Sequence, residues 1–575
     1  MKKVITLICI SFYGKFSVAQ GGWTKITSTV NPVTTFTSNA YYKGAAWVDI
    51  NNDDLIDLFA MPNYVFLNNG SGSFTELTGL NINPAPLQNP GGCSWGDIDN
   101  DGYIDFITAQ NPSEVYLNNG NNTFQNITPT IAALSGFASW GCVLADINND
   151  SKLDLLYAQA YGFHGTATPY PCKLFYQDPF SFQFNPKAGY AFTDSLKPYT
   201  VPYFYDFDMD GDMDLFIATG PGGSPGPDYC YKNMKKELGI DTLYRMATEA
   251  WSTQLQDGQC YNAVDTDNDS DFDLCLTNYG GAASRFYLNN SGTYSLTSTP
   301  FSVASHHLSN CWGDYDNDGD LDVIIASDNT PLRFFKNMGA NNFILQSGSI
   351  NIATGSSAVI NGDYDNDGDL DVFVHGFGSA RSLWQNDTVA GSRKWLNIKL
   401  TGVVSNKSAI GAIIKLKATI SGNPVWQTRH VTAQNSFQSQ NDLRVHFGLN
   451  DAASIDTVLI YWPSGVKEFY ANISPNQFLK YTEGSGSPVG VKENKEKEVV
   501  IEVFPNPTSD LIKVSLPDSE SSTTIKLISQ NGSLLFVDRF KSKSAEIPVA
   551  NYRPGLYFVL IEWGNYVILR KFVIQ

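Results

Sequence analysis

Residues 312–327 read WGDYDNDGDLDVIIAS, with five aspartates in the nine positions from Asp314 to Asp322 and an apolar run, Val323 to Ala326, directly after them. Carboxylates at that density repel one another, and no basic residue stands among them. A turn of this kind set against a buried strand requires a counter-charge.

The pattern D-x-(D/N)-x-D-x-x-x-D occurs seven times, starting at Asp49, Asp97, Asp146, Asp206, Asp265, Asp314 and Asp363, at intervals of 48 to 60 residues. Self-similarity at such a period marks a repeat architecture. Each unit has an apolar or aromatic strand before the turn, such as AAWV (45–48), and another after it, such as FITA (106–109). A third strand ends in asparagine, as in VFLNNG (65–70), and a fourth begins with an aromatic residue, as in FQNI (124–127). Four short strands per unit predict a propeller blade. The expected fold is all-β: a seven-bladed β-propeller with calcium loops, then a small β domain and a C-terminal β-sandwich. The seventh unit lacks a fourth strand, and WTKIT (23–27) resembles FTELT (74–78). The Trp23 strand is therefore expected to close the ring and remove its open edges.

Positions 1, 3, 5 and 9 of the turn can direct side-chain oxygens at one point, and position 7 can add a carbonyl. The candidate metal ligands are Asp49, Asn51, Asp53 and Asp57 in loop 1, and Asp97, Asp99, Asp101 and Asp105 in loop 2. Loop 3 offers Asp146, Asn148, Asp150 and Asp154, and loop 4 offers Asp206, Asp208, Asp210 and Asp214. Asp265, Asp267, Asp269 and Asp273 form loop 5, Asp314, Asp316, Asp318 and Asp322 loop 6, and Asp363, Asp365, Asp367 and Asp371 loop 7. Oxygen donors without Cys or His select Ca²⁺, up to seven ions, over zinc or copper. Seven divalent cations would cancel most of the net charge of −19. Position 6 is Gly102, Gly211, Gly319 and Gly368 in four loops but Asp54, Ser151 and Ser270 in the others, and a positive φ is expected there. With Asn148, Ser151 and Lys152, loop 3 is expected to bind most weakly; loops 6 and 7 are expected to fill first.

The D-x-D-x-D-G start resembles an EF-hand loop, with a short Asp at position 9 instead of Glu at 12 and strands instead of flanking helices. Over about residues 23–390 the chain resembles the FG-GAP/VCBS repeat family, which forms seven-bladed propellers in integrin α-chains and bacterial surface proteins. The resemblance implies that these aspartates are Ca²⁺ ligands.

Alternating strands without aspartate loops follow from Lys394. SNKSAIGAIIKL (405–416), SFQSQ (436–440), HFGL (446–449) and WPSG (462–465) resemble the ASPIC/UnbV family. His430 and His446 read as structural histidines, since no nucleophile accompanies them. GSGSPVGVKENKEKE (484–498) has linker composition. FPNPTSD (504–510), Gly555-Leu556-Tyr557 and the strand at 571–575 resemble the type A sorting domain of the type IX secretion system. That implies partnership with the secretion machinery, export across the outer membrane, and removal of the domain with release or surface attachment.

Lys2 and Lys3, the apolar stretch Val4–Phe12 and Ser17-Val18-Ala19 have the form of a signal peptide. The expected division is 1–19 signal peptide, 20–391 propeller, 392–483 ASPIC/UnbV-like domain, 484–498 linker and 499–575 sorting domain. The seven cysteines after residue 19 are irregularly spaced, which is not a disulfide framework. The acidic balance argues against nucleic acid, and no later segment reads as a transmembrane span.

No Ser/His/Asp set, P-loop or dinucleotide fingerprint is present, so the expected role is non-catalytic: a secreted or cell-surface calcium-binding protein for adhesion or for a glycan or protein ligand. The alternatives are a carbohydrate-active enzyme, a polysaccharide lyase or hydrolase on a calcium-stabilised propeller, and a structural surface-layer component. Units 3 and 4 are lengthened on the face opposite the aspartate loops. Their aromatic residues and those of the next connection, Tyr161, Phe163, His164, Tyr170, Tyr229 and Trp251, are the expected ligand-binding set.

Overall fold

A computed structural model of the chain describes residues 22–36, 42–70, 72–82, 91–159, 170–220, 226–253, 255–377, 380–387, 393–488, 503–516, 522–529, 534–563 and 566–575. The stretch expected to be a signal peptide lies outside them.

Residues 22–386 form seven four-stranded antiparallel sheets, one per repeat. In the first, Ala45–Val48, Asp57–Ala60, Tyr64–Asn68 and Phe74–Leu77 pair in chain order. The first two strands of each repeat are almost wholly buried, as in Gly92–Gly96 and Asp105–Ala109. Buried on both faces, such strands read as unbroken apolar runs. Fourth strands are half exposed, as in Phe124–Asn126, where only the aromatic residue points inward. Trp23–Lys25 pairs with Ser382–Asn386, Trp23 opposite Asn386, and completes the seventh sheet. The first strands of the repeats neighbour one another in cyclic order, and Ser356–Gly362 of the seventh returns to Ala45–Val48 of the first. The arrangement is propeller-like.

Asparagines stitch neighbouring sheets. In five of the seven repeats the asparagine ending the third strand donates its amide backward, as Asn118 to the Ile50 carbonyl at 2.8 Å, Asn233 to Ile147 at 2.7 Å, and Asn386 to Tyr315 at 2.6 Å; Gln177 does the same in the third repeat. At turn position 4 another donates forward: Asn52 to the Gly102 carbonyl at 2.9 Å and Asn149 to Gly211 at 3.0 Å. These amides satisfy buried carbonyls that no sheet ladder reaches.

A second unit packs a three-stranded sheet (Lys394–Thr401, Val445–Asn450, Gln477–Thr482) on a five-stranded one built around Ile413–Ile420 and Ile455–Tyr461. Its last strand, Ser487–Pro488, pairs with Lys467–Ile473. The buried Glu483 carboxylate accepts the N–H groups of Val403, Val404 and Ser405 at 2.7–2.8 Å. Residues 484–488 thus belong to this unit and not to a linker. A third unit faces a three-stranded sheet, including Leu511–Ser515 and Ser544–Pro548, with a four-stranded sheet that includes Thr523–Ser529 and Gly555–Trp563. Ile512, Val514, Ile525, Leu527, Ile547 and Val559 fill the sandwich.

One loop of the second unit enters the axis of the ring. Residues 433–441 bond to the first strands of most sheets. Gln440 joins two of them: its Oε1 accepts the Trp95 N–H at 2.7 Å, and its N–H donates to the Ala45 carbonyl at 3.0 Å. Ser436 Oγ donates to the Val359 carbonyl at 2.6 Å and its carbonyl accepts from Tyr203 at 3.4 Å. Asn262 donates to the Asn435 carbonyl at 3.1 Å. Phe437, fully buried, lies against Tyr42 and Trp140. A Cβ on Gly44 would stand 1.8 Å from the Gln438 carbonyl oxygen, so only glycine fits against this axial loop.

Candidate metal centre

The seven aspartate turns share one construction. In every turn the position-1 carboxylate accepts the N–H of position 6, and in all but loop 5 that of position 5 as well: Asp101 and Gly102 donate to Asp97 at 3.0 and 2.7 Å, Asp318 and Gly319 to Asp314 at 3.0 and 2.7 Å. Position 5 accepts from position 7, as from Tyr103 to Asp101 at 2.8 Å. A chain curled this tightly needs the left-handed region twice. Position 6 has φ of 102° at Gly319, but also 70° at Asp54, 75° at Ser151 and 78° at Ser270. Position 4 has φ of 57° at Asn317 and 59° at Asn366, and asparagine tolerates that region best among non-glycine residues.

Position 9 holds the turn to its sheet. Asp105 accepts the Ile98 N–H at 2.8 Å on one oxygen and the Asn118 N–H at 2.7 Å on the other. The same pair of bonds recurs at Asp57, Asp154, Asp214, Asp273, Asp322 and Asp371. These seven aspartates are therefore brackets, each tying its turn to two strands; Asp273 also accepts the Thr266 hydroxyl.

Burial makes the turns electrostatically costly. It pushes the Asp57 carboxyl up to about 8, with neighbouring Asp49 and Asp53 adding to the rise. Asp97, Asp265 and Asp273 are pushed up to about 7, again chiefly by burial. Asp105, Asp154, Asp214, Asp322 and Asp371 lie well above the usual carboxylate range for the same reason. Asp265, Asp267 and Asp365 each keep a buried Oδ1 with no hydrogen-bond donor. Carboxylate oxygens gather within 4.8 Å of one another in Asp97/Asp99/Asp101, Asp206/Asp208/Asp210, Asp265/Asp267/Asp269 and Asp314/Asp316/Asp322. Orphaned anionic oxygens in a water-poor setting fit a hard cation.

The loops differ in the cations already beside them. Lys232 bonds Asp208 in loop 4, and Lys336 bonds Asp316 in loop 6. Arg393 also reaches Asp316, at 2.9 Å. In loop 7 the equivalent third-strand residue is the neutral Gln385, 2.6 Å from Asp365. Loops 6 and 7, alike in sequence, thus differ in their surroundings, which removes the basis for expecting loop 6 to fill early. Lys152 of loop 3 is buried, with Asp150, Asp97, Asp99 and Asp146 in electrostatic reach.

The second unit covers this face. Lys399 pairs with Asp49 at 2.9 Å, and Lys480 with Asp54 at 2.5 Å. The Asp97 N–H donates to Ser408 at 2.8 Å, and Ser151 donates to the Val404 carbonyl. Arg444 reaches the Asp363 carbonyl at 2.8 Å and Asn366 at 3.0 Å, and His446 Nε2 lies 3.1 Å from the Gly368 carbonyl. Half-buried Arg429 feels Asp265, Asp314 and Asp320. A Cβ on Gly448 would stand 1.9 Å from an Asp314 oxygen. His430 stacks on Tyr205 at 5.0 Å. Burial holds His430 and His446 down at about 3 and about 4, as neutral packing residues. The signals for this cover were SFQSQ and HFGL, but nothing in them says where they dock.

On the opposite face, Tyr229 and Trp251 are buried. Tyr229 packs on Tyr199 and under Arg245, and Trp251 packs on Tyr287 and Tyr294. Neither presents a ring to solvent, because these aromatics fill gaps between sheets. Tyr170 is 44% exposed; Tyr161, Phe163 and His164 lie outside the described residues. Cys93, Cys142, Cys172, Cys230, Cys260, Cys275 and Cys311 are buried and unbridged.

A family model for FG-GAP-like repeats matches residues 61–108, 106–157, 265–325 and 314–374. Models for ASPIC and UnbV and for a secretion system C-terminal sorting domain match 402–488 and 502–575. No curated protein matches the chain. Among solved structures, it is similar to the extracellular domain of the hybrid two component system BT4673 from B. thetaiotaomicron: 10% identity, TM-score 0.38, covering 96% of this chain and 59% of that one. It is also similar to the full extracellular region of plexin A4: 8% identity, TM-score 0.26, covering 93% of this chain and 65% of that one. The sorting domain indicates secretion across the outer membrane to the cell surface or extracellular space. No helix among the described residues is long and apolar enough to cross a membrane.

Proposed function

Taking the chain as an exported protein of FG-GAP-like repeats with an ASPIC and UnbV domain and a C-terminal sorting domain, we propose that it is a calcium-stabilised binding protein working outside the cell. Its seven sheets act as blades of one propeller, and its aspartate loops take up to seven Ca²⁺. The ASPIC/UnbV-like domain locks the calcium face, and the sorting domain serves as an address. The observation that carries this reading is the set of buried loop carboxylates with oxygens that no donor satisfies.

The ion would supply the missing counter-charge, while this chain's residues position it. Position 1 orders the turn, positions 3 and 5 face the ion, and position 9 anchors the turn to its strands. The role is ligand capture or adhesion to a glycan or protein, with rigidity supplied by calcium rather than catalysis. Direct metal analysis after dialysis, with binding screened on glycan and protein panels, tests it. Fewer than one calcium per chain, or cleavage of a panel substrate, would count against it.

A further inference from the structure

Between loops 1 and 2 and the second unit lies a cleft of about 480 Å³. Ligand pockets span roughly 300–1,000 Å³, so it has room for a sugar residue or two. Its wall carries Lys399, Lys407 and Lys480. Lys480 is largely exposed, its side chain 62% accessible. Asn397 also lines the cleft, 2% exposed, with a buried side-chain oxygen that has no partner. Phe478, 37% exposed, adds an aromatic ring braced by Trp395 at 4.9 Å. A buried amide oxygen without a donor is costly unless something arrives to bond it.

The charges in the cleft are interlocked with the loops. Lys399 rests on Asp49, the position-1 residue of loop 1. A calcium ion in loop 1 would draw on that carboxylate and leave the Lys399 ammonium with only the more distant Asp54, 4.0 Å away, on the cleft side. Lys407 makes no ion pair among the described residues, although Asp97 of loop 2 lies in its electrostatic reach. With calcium taking up Asp49 and Asp97, the lining keeps Lys399, Lys407, Lys480 and Arg444 against Asp54 and Asp442, so the wall is net cationic, with an amide and a ring beside the ammonium groups.

We propose that this interdomain cleft, and not the opposite face, is the ligand site, and that it takes an acidic sugar. The carboxylate sits among Lys399, Lys407 and Lys480, the hydroxyls bond the Asn397 amide, and one face of the ring packs on Phe478. The inference rests on the calcium reading above, since the ion frees Lys399.

The test uses the full chain and a matched pair of probes, methyl β-glucuronide and methyl β-glucoside, which differ by one carboxylate. Affinities come from titrations followed by saturation-transfer NMR, in excess calcium and in chelator, and thermal melts are run on the same samples. The glucuronide should bind at least tenfold more tightly than the glucoside in calcium, and should weaken at least threefold in chelator. Lys399→Ala should cost about tenfold, and the more exposed Lys480→Ala about threefold without affecting folding. Equal affinity for the two probes, no binding by folded calcium-loaded protein, or affinities unchanged by both lysine variants would overturn the proposal. A calcium-raised melting temperature without glucuronide binding would reject the cleft and leave the calcium reading standing. Melts unaffected by calcium would reject both.

Discussion

Gln440 of the second unit accepts the backbone N–H of Trp95, in the second sheet of the ring, at 2.7 Å. Some 345 residues separate the two in the chain. Gln440→Ala leaves that buried N–H unpaired, which costs about 1–3 kcal/mol. The denaturant midpoint of the whole chain should fall accordingly. An unchanged midpoint would mean that the axial loop fills the ring without supporting it.

Calcium should raise the melting temperature. Exported modules bind the ion at roughly 10⁻⁴–10⁻³ M. At ten times that dissociation constant each occupied loop adds about 1.4 kcal/mol. Seven loops would approach ~10 kcal/mol, on the scale of a domain's whole stability. Melts in calcium and in excess chelator measure the difference; coincident curves would exclude a stabilising ion.

In chelator, stability should fall as pH rises. Asp57, Asp97, Asp265 and Asp273 have carboxyls raised from 3.8 to about 8 or about 7, mainly by burial. The folded state then binds protons more tightly than the unfolded state, so the contribution is complete below about pH 4 and lost towards pH 7–8. Calcium-depleted protein should melt higher at pH 5 than at pH 8. Saturating calcium should shrink or reverse that gap, because the ion needs deprotonated ligands. Greater stability at pH 8 in chelator would contradict the burial argument.

Loop 7 should fill before loop 6, although both read DYDNDGDLD. Lys336 and Arg393 already neutralise Asp316. Lys336→Ala should raise loop 6 affinity about fivefold, the equivalent of ~1 kcal/mol for a partly exposed pair. Occupancy followed loop by loop during a calcium titration decides the order; loop 3, with its buried Lys152, should be last.

Removing residues 499–575 should leave a folded, calcium-responsive protein that no longer reaches the cell surface. The cover and axial loop all precede residue 489. Among the described residues the sandwich contributes Ile528 and Leu560, with Phe558 packed beside them, to the cluster containing the second unit's core. Normal surface display of the truncated chain would refute the address.

Much of the site was legible because local chemistry dictates it. The seven turns, their φ > 0 at position 6 and the Trp23 strand all follow from short patterns. The bracket made by position 9 was not legible, since a buried hydrogen-bond acceptor and an ion ligand are both written as Asp. The stitching amides of Asn118 and Asn52 read only as turn punctuation. Tyr229 and Trp251 show the same ambiguity in aromatics, which serve cores and surfaces equally. The cover over the loops depends on contacts between residues hundreds of positions apart, such as Lys399 with Asp49, and no local pattern encodes them.

The axial loop has a consequence in time. Trp23 waits for Asn386, and Ser309 and Val359 wait for Ser436, so the last bonds of the ring form only after most of the chain is present. Non-local closure of this kind is slow to form. It is equally slow to undo, because no sheet can peel away while Gln440 and Ser436 hold its neighbours from within. Outside the cell, where no chaperone refolds a damaged copy, the protein's working life is then set by its rate of unfolding and not by its equilibrium stability.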